Sequence, residues 1–182
     1  LYKKEAHEET LWSAALEVLA LCVCLEENMA DWGEDEELIV ATNYSPKNFP
    51  LTHATIQRSS PNLERVLNLR ALLQTNHTAF QARLKGAITQ AGLDSQLAAR
   101  RLIIFRFDDY PKGQATSALT EKFADLGGIL IQPKDEDLRK LGGLATTWQD
   151  KPRDLEAWLK RAKPTETIAS LAEHIAWIKA RP

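Results

Sequence analysis

Apolar residues fall in runs whose spacing changes along the chain. Between Leu11 and Leu25 only Ser13 and Glu17 are not apolar. A helix over Lys3–Met29 would therefore be hydrophobic nearly all round and buried on several sides. Three short runs, Leu38-Ile39-Val40-Ala41, Leu102-Ile103-Ile104-Phe105 and Ile129-Leu130-Ile131, are bounded by polar or turn residues and do not alternate. Continuous runs of this length fit strands covered on both faces, the habit of parallel sheets.

Helical patterns separate these runs. Ser60-Pro61-Asn62-Leu63 reads as a helix start, and Leu63, Val66, Leu67, Leu69 and Ala71–Leu73 supply an apolar face that breaks near Thr75–Thr78. Further helices are expected over Ala79–Ala91, ending at Gly92, over Ser95–Arg100, and over Gly113–Asp125, closed by Gly127-Gly128. Lys134–Thr147, Arg153–Ala162 and Thr165–Ala180 complete the pattern, with Pro133, Pro152 and Pro164 near helix starts. The order predicts an α/β fold: a small, mainly parallel sheet with helices on both faces, Rossmann-like or P-loop-like in its layers but without a P-loop. Residues 1–147 form the expected α/β body and 148–182 a helical appendage packed on it.

Composition narrows the class. The chain has 182 residues, of which 44% are hydrophobic and 26% charged, enough for a substantial core without staples. Two cysteines cannot make a disulfide scaffold. The apolar run near the start is interrupted by Glu17 and is shorter than the ~20 residues of a spanning helix. A cytoplasmic chain with no membrane partner is the expectation. It begins at Leu1, so a larger polypeptide or a second protomer is an expected partner for the Leu11–Leu25 face.

The net charge of −2 is a sum of opposites. Residues 1–60 hold four Lys or Arg against eleven Asp or Glu, and the remainder holds 19 basic against 14 acidic residues. Seven of the acids lie between Glu26 and Glu37, a solvated face or a docking surface for a basic partner.

Open α/β sheets bind ligands outside the carboxyl ends of their strands. The polar residues there are Thr42, Asn43 and Ser45 after the first run, Asp108 and Asp109 after the second, and Gln132, Lys134 and Asp135 after the third. Asp108 and Asp109 are the candidate catalytic pair. Asp108 is the candidate ligand of a Mg²⁺ ion, because a hard cation takes carboxylate oxygen held at a rigid position. Lys112, Gly113 and Thr116 would offer a cation, free backbone and a hydroxyl to an anion at a helix N-terminus. With Thr42, Asn43 and Ser45 they make up the candidate cofactor-binding set. Arg100, Arg101 and Arg106 are the candidate nucleic-acid contacts.

The run ending in Asp108-Asp109 resembles the Walker B strand of P-loop ATPases, and Leu38–Asn43 resembles the polar sensor ending a neighbouring strand. Their order is the reverse of the usual one, and neither GxxxxGKS, GxxxxGKT nor GxGxxG occurs, so no family is assigned on them. The primary expectation is a non-catalytic domain of an assembly handling nucleotides or nucleic acid. A Mg-dependent phosphoryl-transfer or hydrolytic enzyme using Asp108 and Asp109 is the alternative. An interaction scaffold is the third.

Overall fold

The computed structural model describes residues 2–42, 53–95, 97 and 99–181. Helix α1 (Tyr2–Leu25) leads into strand β1 (Glu37–Thr42), then β2 (Ala54–Ser60), β3 (Leu63–Ala71), helix α2 (His77–Gln90), β4 (Arg100–Phe105), α3 (Gln114–Asp125), β5 (Ile129–Ile131), α4 (Asp135–Asp150), α5 (Leu155–Ala162) and α6 (Ala172–Lys179). Short 3₁₀ turns at Met29–Asp31 and Pro164–Thr167 complete it.

The strands form one sheet in chain order, β1-β2-β3-β4-β5. The fold is α/β as expected, but the sheet is mixed. β1–β2 and β2–β3 are antiparallel, while β3–β4 and β4–β5 are parallel. The registers leave β2 alone running against the other four strands. The carboxyl ends of β1, β3, β4 and β5 therefore lie along a single edge.

The difference from expectation arises at Leu63–Ala71, which is a strand and not a helix. Ser60-Pro61-Asn62-Leu63 is a hairpin turn, with Ser60 paired to Leu63 across Pro61-Asn62. Pro suits this position because its ring fixes φ for a turn. The strand hid because both its faces are covered. Leu67, Leu69 and Ala71 enter one core while Val66, Asn68 and Arg70 are buried on the other side, so the period of two is blurred. β2, unassigned from sequence, does alternate: Ala54, Ile56 and Arg58 are buried and Thr55, Gln57 and Ser59 are half-buried. The helix expected over Ser95–Arg100 falls partly outside the described residues, and Arg100 itself opens β4.

Helices cover both faces of β4, whose side chains alternate. Ile103 and Phe105 join a core with Leu16, Leu19, Ala20, Val23, Leu141, Leu144, Leu159, Ile175 and Ile178 from α1, α4, α5 and α6. Leu102 and Ile104 join the opposite core with Phe80, Leu84 and Ile88 of α2 and Leu119 and Phe123 of α3. The apolar run of α1 is thus largely buried by this chain's own sheet, α4 and α5; Leu16, Ala20, Cys22 and Val23 are fully buried, while Leu11 and Ala14 are exposed. A second chain is not required to cover it. Burial pushes the Cys22 and Cys24 thiols up to about 12, which leaves them unreactive at neutral pH. Among the described residues no helix is long and apolar enough to cross a membrane.

Three acids of the Glu26–Glu37 stretch find partners within the chain, while Asp31, Glu34, Asp35 and Glu37 are exposed. Glu26 is buried and takes hydrogen bonds from Thr165 N (2.8 Å), Thr165 Oγ1 and Lys179 Nζ (2.8 Å). Glu27 pairs with Lys179 at 3.2 Å, and Glu36 approaches Arg58 at 3.5 Å. Arg58 lies over the Trp32 ring and donates to the Lys179 and Ala180 carbonyls, which Arg65 also reaches at Ala180. These cations sit at the C-terminus of α6, where the helix dipole favours positive charge.

Candidate functional site

The carboxyl edge brings together residues that are far apart in sequence. β3 delivers Arg70 one residue before its end, and the chain continues to Gln74 before α2. His53 immediately precedes β2 and is locked to the end of β3: its N–H donates to the Leu69 carbonyl (2.9 Å) and its Nδ1 accepts from Ala71 N (3.1 Å). That second bond leaves the proton of the neutral ring on Nε2. Nε2 lies 3.6 Å from Oε1 of Glu9, which α1 carries in.

Glu9 is the centre of the cluster. Its Oε1 accepts from Arg70 Nη2 (2.7 Å), and its Oε2 accepts from Arg83 Nη1 (2.6 Å), on α2, and from Gln74 Nε2. Glu9, His53, Arg70 and Gln74 are all buried, and Arg83 is about one-fifth exposed. Burial works against the Glu9 charge, but His53, Arg70, Arg83 and Gln74 together hold its carboxyl below the usual carboxylate range. Burial, reinforced by Arg70 and Arg83, holds His53 below its ordinary value although Glu9 opposes it. Burial likewise lowers Arg70 to about 10, still charged at neutral pH. The cluster therefore holds one carboxylate, two guanidinium groups and a neutral imidazole. Arg70 Nε and Nη1 and Gln74 Oε1 are buried and have no hydrogen-bond partner among the described residues.

Arg106 closes the edge next to this cluster. It is 2% exposed, donates through Nη1 to the Leu72 and Gln74 carbonyls (2.9 and 3.0 Å) and through Nε and Nη2 to the Asp109 carbonyl (3.1 and 2.9 Å), and stands over the Phe80 ring. Its role is to tie the loops after β3 and β4 together; it is not an open phosphate contact as expected from sequence. Arg100 and Arg101 lie at the opposite end of β4, so the three arginines do not form one patch. Arg100 pairs with Glu64 at 3.1 Å. Arg101 covers the Trp177 ring and meets His174 Nδ1 at 2.9 Å.

The other sequence candidates divide. Thr42 ends β1, exposed, on the carboxyl edge; Asn43 and Ser45 lie outside the described residues. Asp108, Asp109, Lys112 and Gly113 are exposed on the loop between β4 and α3. Thr116 is buried in the first turn of α3 and accepts a hydrogen bond from Gln81 at 3.0 Å, which joins α3 to α2. Among the described residues no group of three or more His, Cys, Asp or Glu side chains could hold a metal ion.

No protein-family model, no curated protein and no solved structure matches the chain. Its chemistry has to be read from its own side chains.

Sequence reasoning missed Glu9, His53, Arg70, Gln74 and Arg83. One signal was available: Asn68 and Arg70 are polar residues two apart inside the otherwise apolar Val66–Leu73. A charged residue in such a run is buried only where a partner awaits it.

Proposed function

We propose that the chain is a non-catalytic α/β domain of a larger assembly that handles nucleotides or nucleic acid, contributing phosphate binding at the carboxyl edge of its sheet. The observation that carries this reading is the makeup of that edge. Its buried part holds Arg70 and Arg83 around the single carboxylate Glu9, with donors on Arg70 left over. Arginine forks suit phosphate oxygens, and low-dielectric surroundings strengthen each such bond. Metal-assisted phosphoryl transfer calls for the opposite charge, one or two carboxylates that hold Mg²⁺ beside the phosphates. Asp108 and Asp109 stand exposed on their loop, and among the described residues no third acid, histidine or cysteine is grouped with them.

The test is fluorescence anisotropy with a labelled single-stranded oligonucleotide, alongside thermal shift and turnover assays with ATP, each with and without Mg²⁺. Affinity should fall as salt rises, because phosphate contacts release counterions. The Asp108→Asn variant should bind like the unaltered chain, and neither should turn over substrate. Mg²⁺-dependent turnover that disappears in Asp108→Asn would instead establish the enzyme, and absence of binding by any phosphate-bearing ligand would refute both readings.

A further inference from the structure

Glu9 is surrounded as a bound anion would be. Donors reach its two oxygens from three places, Arg70 on β3, Gln74 in the following connection and Arg83 on α2, and His53 before β2 stands beside them. All belong to parts of the chain at least 44 residues away from α1's Glu9 in sequence. The enclosure also has unused capacity, since Arg70 Nε and Nη1, on a side chain 1% exposed, have no partner among the described residues. A carboxylate presents two oxygens, whereas a phosphate group presents at least three strong acceptors.

We propose that this enclosure is a binding site for a phosphate group, and that Glu9 occupies it as a stand-in until ligand displaces it. The proposal rests on the phosphate-binding reading above and adds the site and its built-in competitor. Arg70 and Arg83 are the ligand-holding forks, Gln74 and His53 supply neutral donors, and the first turns of α1 carry the competing carboxylate. Ligand affinity is then set by competition with Glu9, and removing that carboxylate converts the enclosure into an open anion site.

The experiment compares the unaltered chain with Glu9→Ala and Glu9→Gln, titrating inorganic phosphate against sodium chloride of equal ionic strength. Glu9→Ala should lose thermal stability in chloride and recover about 5–10 °C of Tm with phosphate a hundredfold above its Kd. The unaltered chain should gain far less. Should Glu9→Ala not fold, Glu9→Gln keeps the side-chain volume, and calorimetry should show it binding phosphate at least about tenfold more tightly than the unaltered chain, a difference of about 1.4 kcal/mol. No gain from phosphate over chloride in either variant overturns the proposal, as does recovery with acetate but not with phosphate. Oligonucleotide binding by the unaltered chain, measured in parallel, separates the two ideas: binding without any phosphate gain in the variants overturns this site alone, and loss of both overturns the functional reading as well.

Discussion

Replacing Glu26 by alanine tests how firmly the two ends of the chain are held together. The carboxylate is buried and accepts three hydrogen bonds, two from Thr165 and one from Lys179. Lys179 keeps Glu27 at 3.2 Å and Glu166 at 3.0 Å after the substitution, so its charge is not stranded. The loss is then mainly that of the two Thr165 bonds to a charged acceptor, each worth about 1.5–3 kcal/mol. A total of about 3–6 kcal/mol follows, close to the range of about 3–5 kcal/mol for breaking a buried charged pair. Urea denaturation at neutral pH measures it, and the corresponding fall in Tm is about 6–24 °C at roughly 2–4 °C per kcal/mol. Glu156→Ala is the control, because Glu156 pairs with Lys160 at 2.7 Å but is 61% exposed. That exposed pair should contribute about 0.5 kcal/mol or less. If Glu26→Ala costs no more than Glu156→Ala, burial and Thr165 do not act as described.

Acid should destabilise the fold in two stages. His53 is held below its ordinary pKa of 6.5, so the unfolded chain takes up a proton there first and stability falls as pH drops below 6.5. Glu9, also held below its ordinary 4.5, adds stability that is present above 4.5 and lost as pH falls further. Urea midpoints between about pH 4 and 8 should show the first slope diminished in His53→Gln, with the share of His174, whose pKa is lowered as well, remaining. At the end of α3, Gly127 and Gly128 should respond differently to alanine. Gly127→Ala meets open space and strains only a φ of +82°, for about 1–2 kcal/mol, whereas a Cβ on Gly128 would fall inside the buried Phe123 ring and cost about 3 kcal/mol. Equal urea midpoints for the two variants would contradict this account.

The end of α3 shows what kind of structure was legible from sequence. Gly127 N bonds to Ala124 O (2.9 Å) and Gly128 N to Phe123 O (2.8 Å), a local closure that needs glycine and announces itself as Gly-Gly. β4 and β5 were legible as continuous apolar runs for an equally local reason. Leu63–Ala71 was not, since covering both faces of a strand produces apolar positions that also satisfy a helical period. The site divides likewise. The strand-end rule points to the edge where Glu9 and Arg70 meet, and Thr42 and Asp108 follow from it. Yet the cluster itself rests on pairings such as Glu9 with Arg70, 61 residues apart, and Glu9 with Arg83, 74 apart. No short-range pattern records the pairings themselves; their traces are Arg70 inside an apolar run and the charge imbalance between the first 60 residues and the rest.

The bond between Glu26 and Lys179 spans 153 residues, and this has a consequence for synthesis. At roughly 5–20 residues per second, the ribosome needs about 8–30 s between these two positions. Throughout that interval α1 lacks the completed α6, which helps to bury its apolar run, and Glu26 lacks Lys179. This layer therefore cannot close before α6 has emerged from the ribosome.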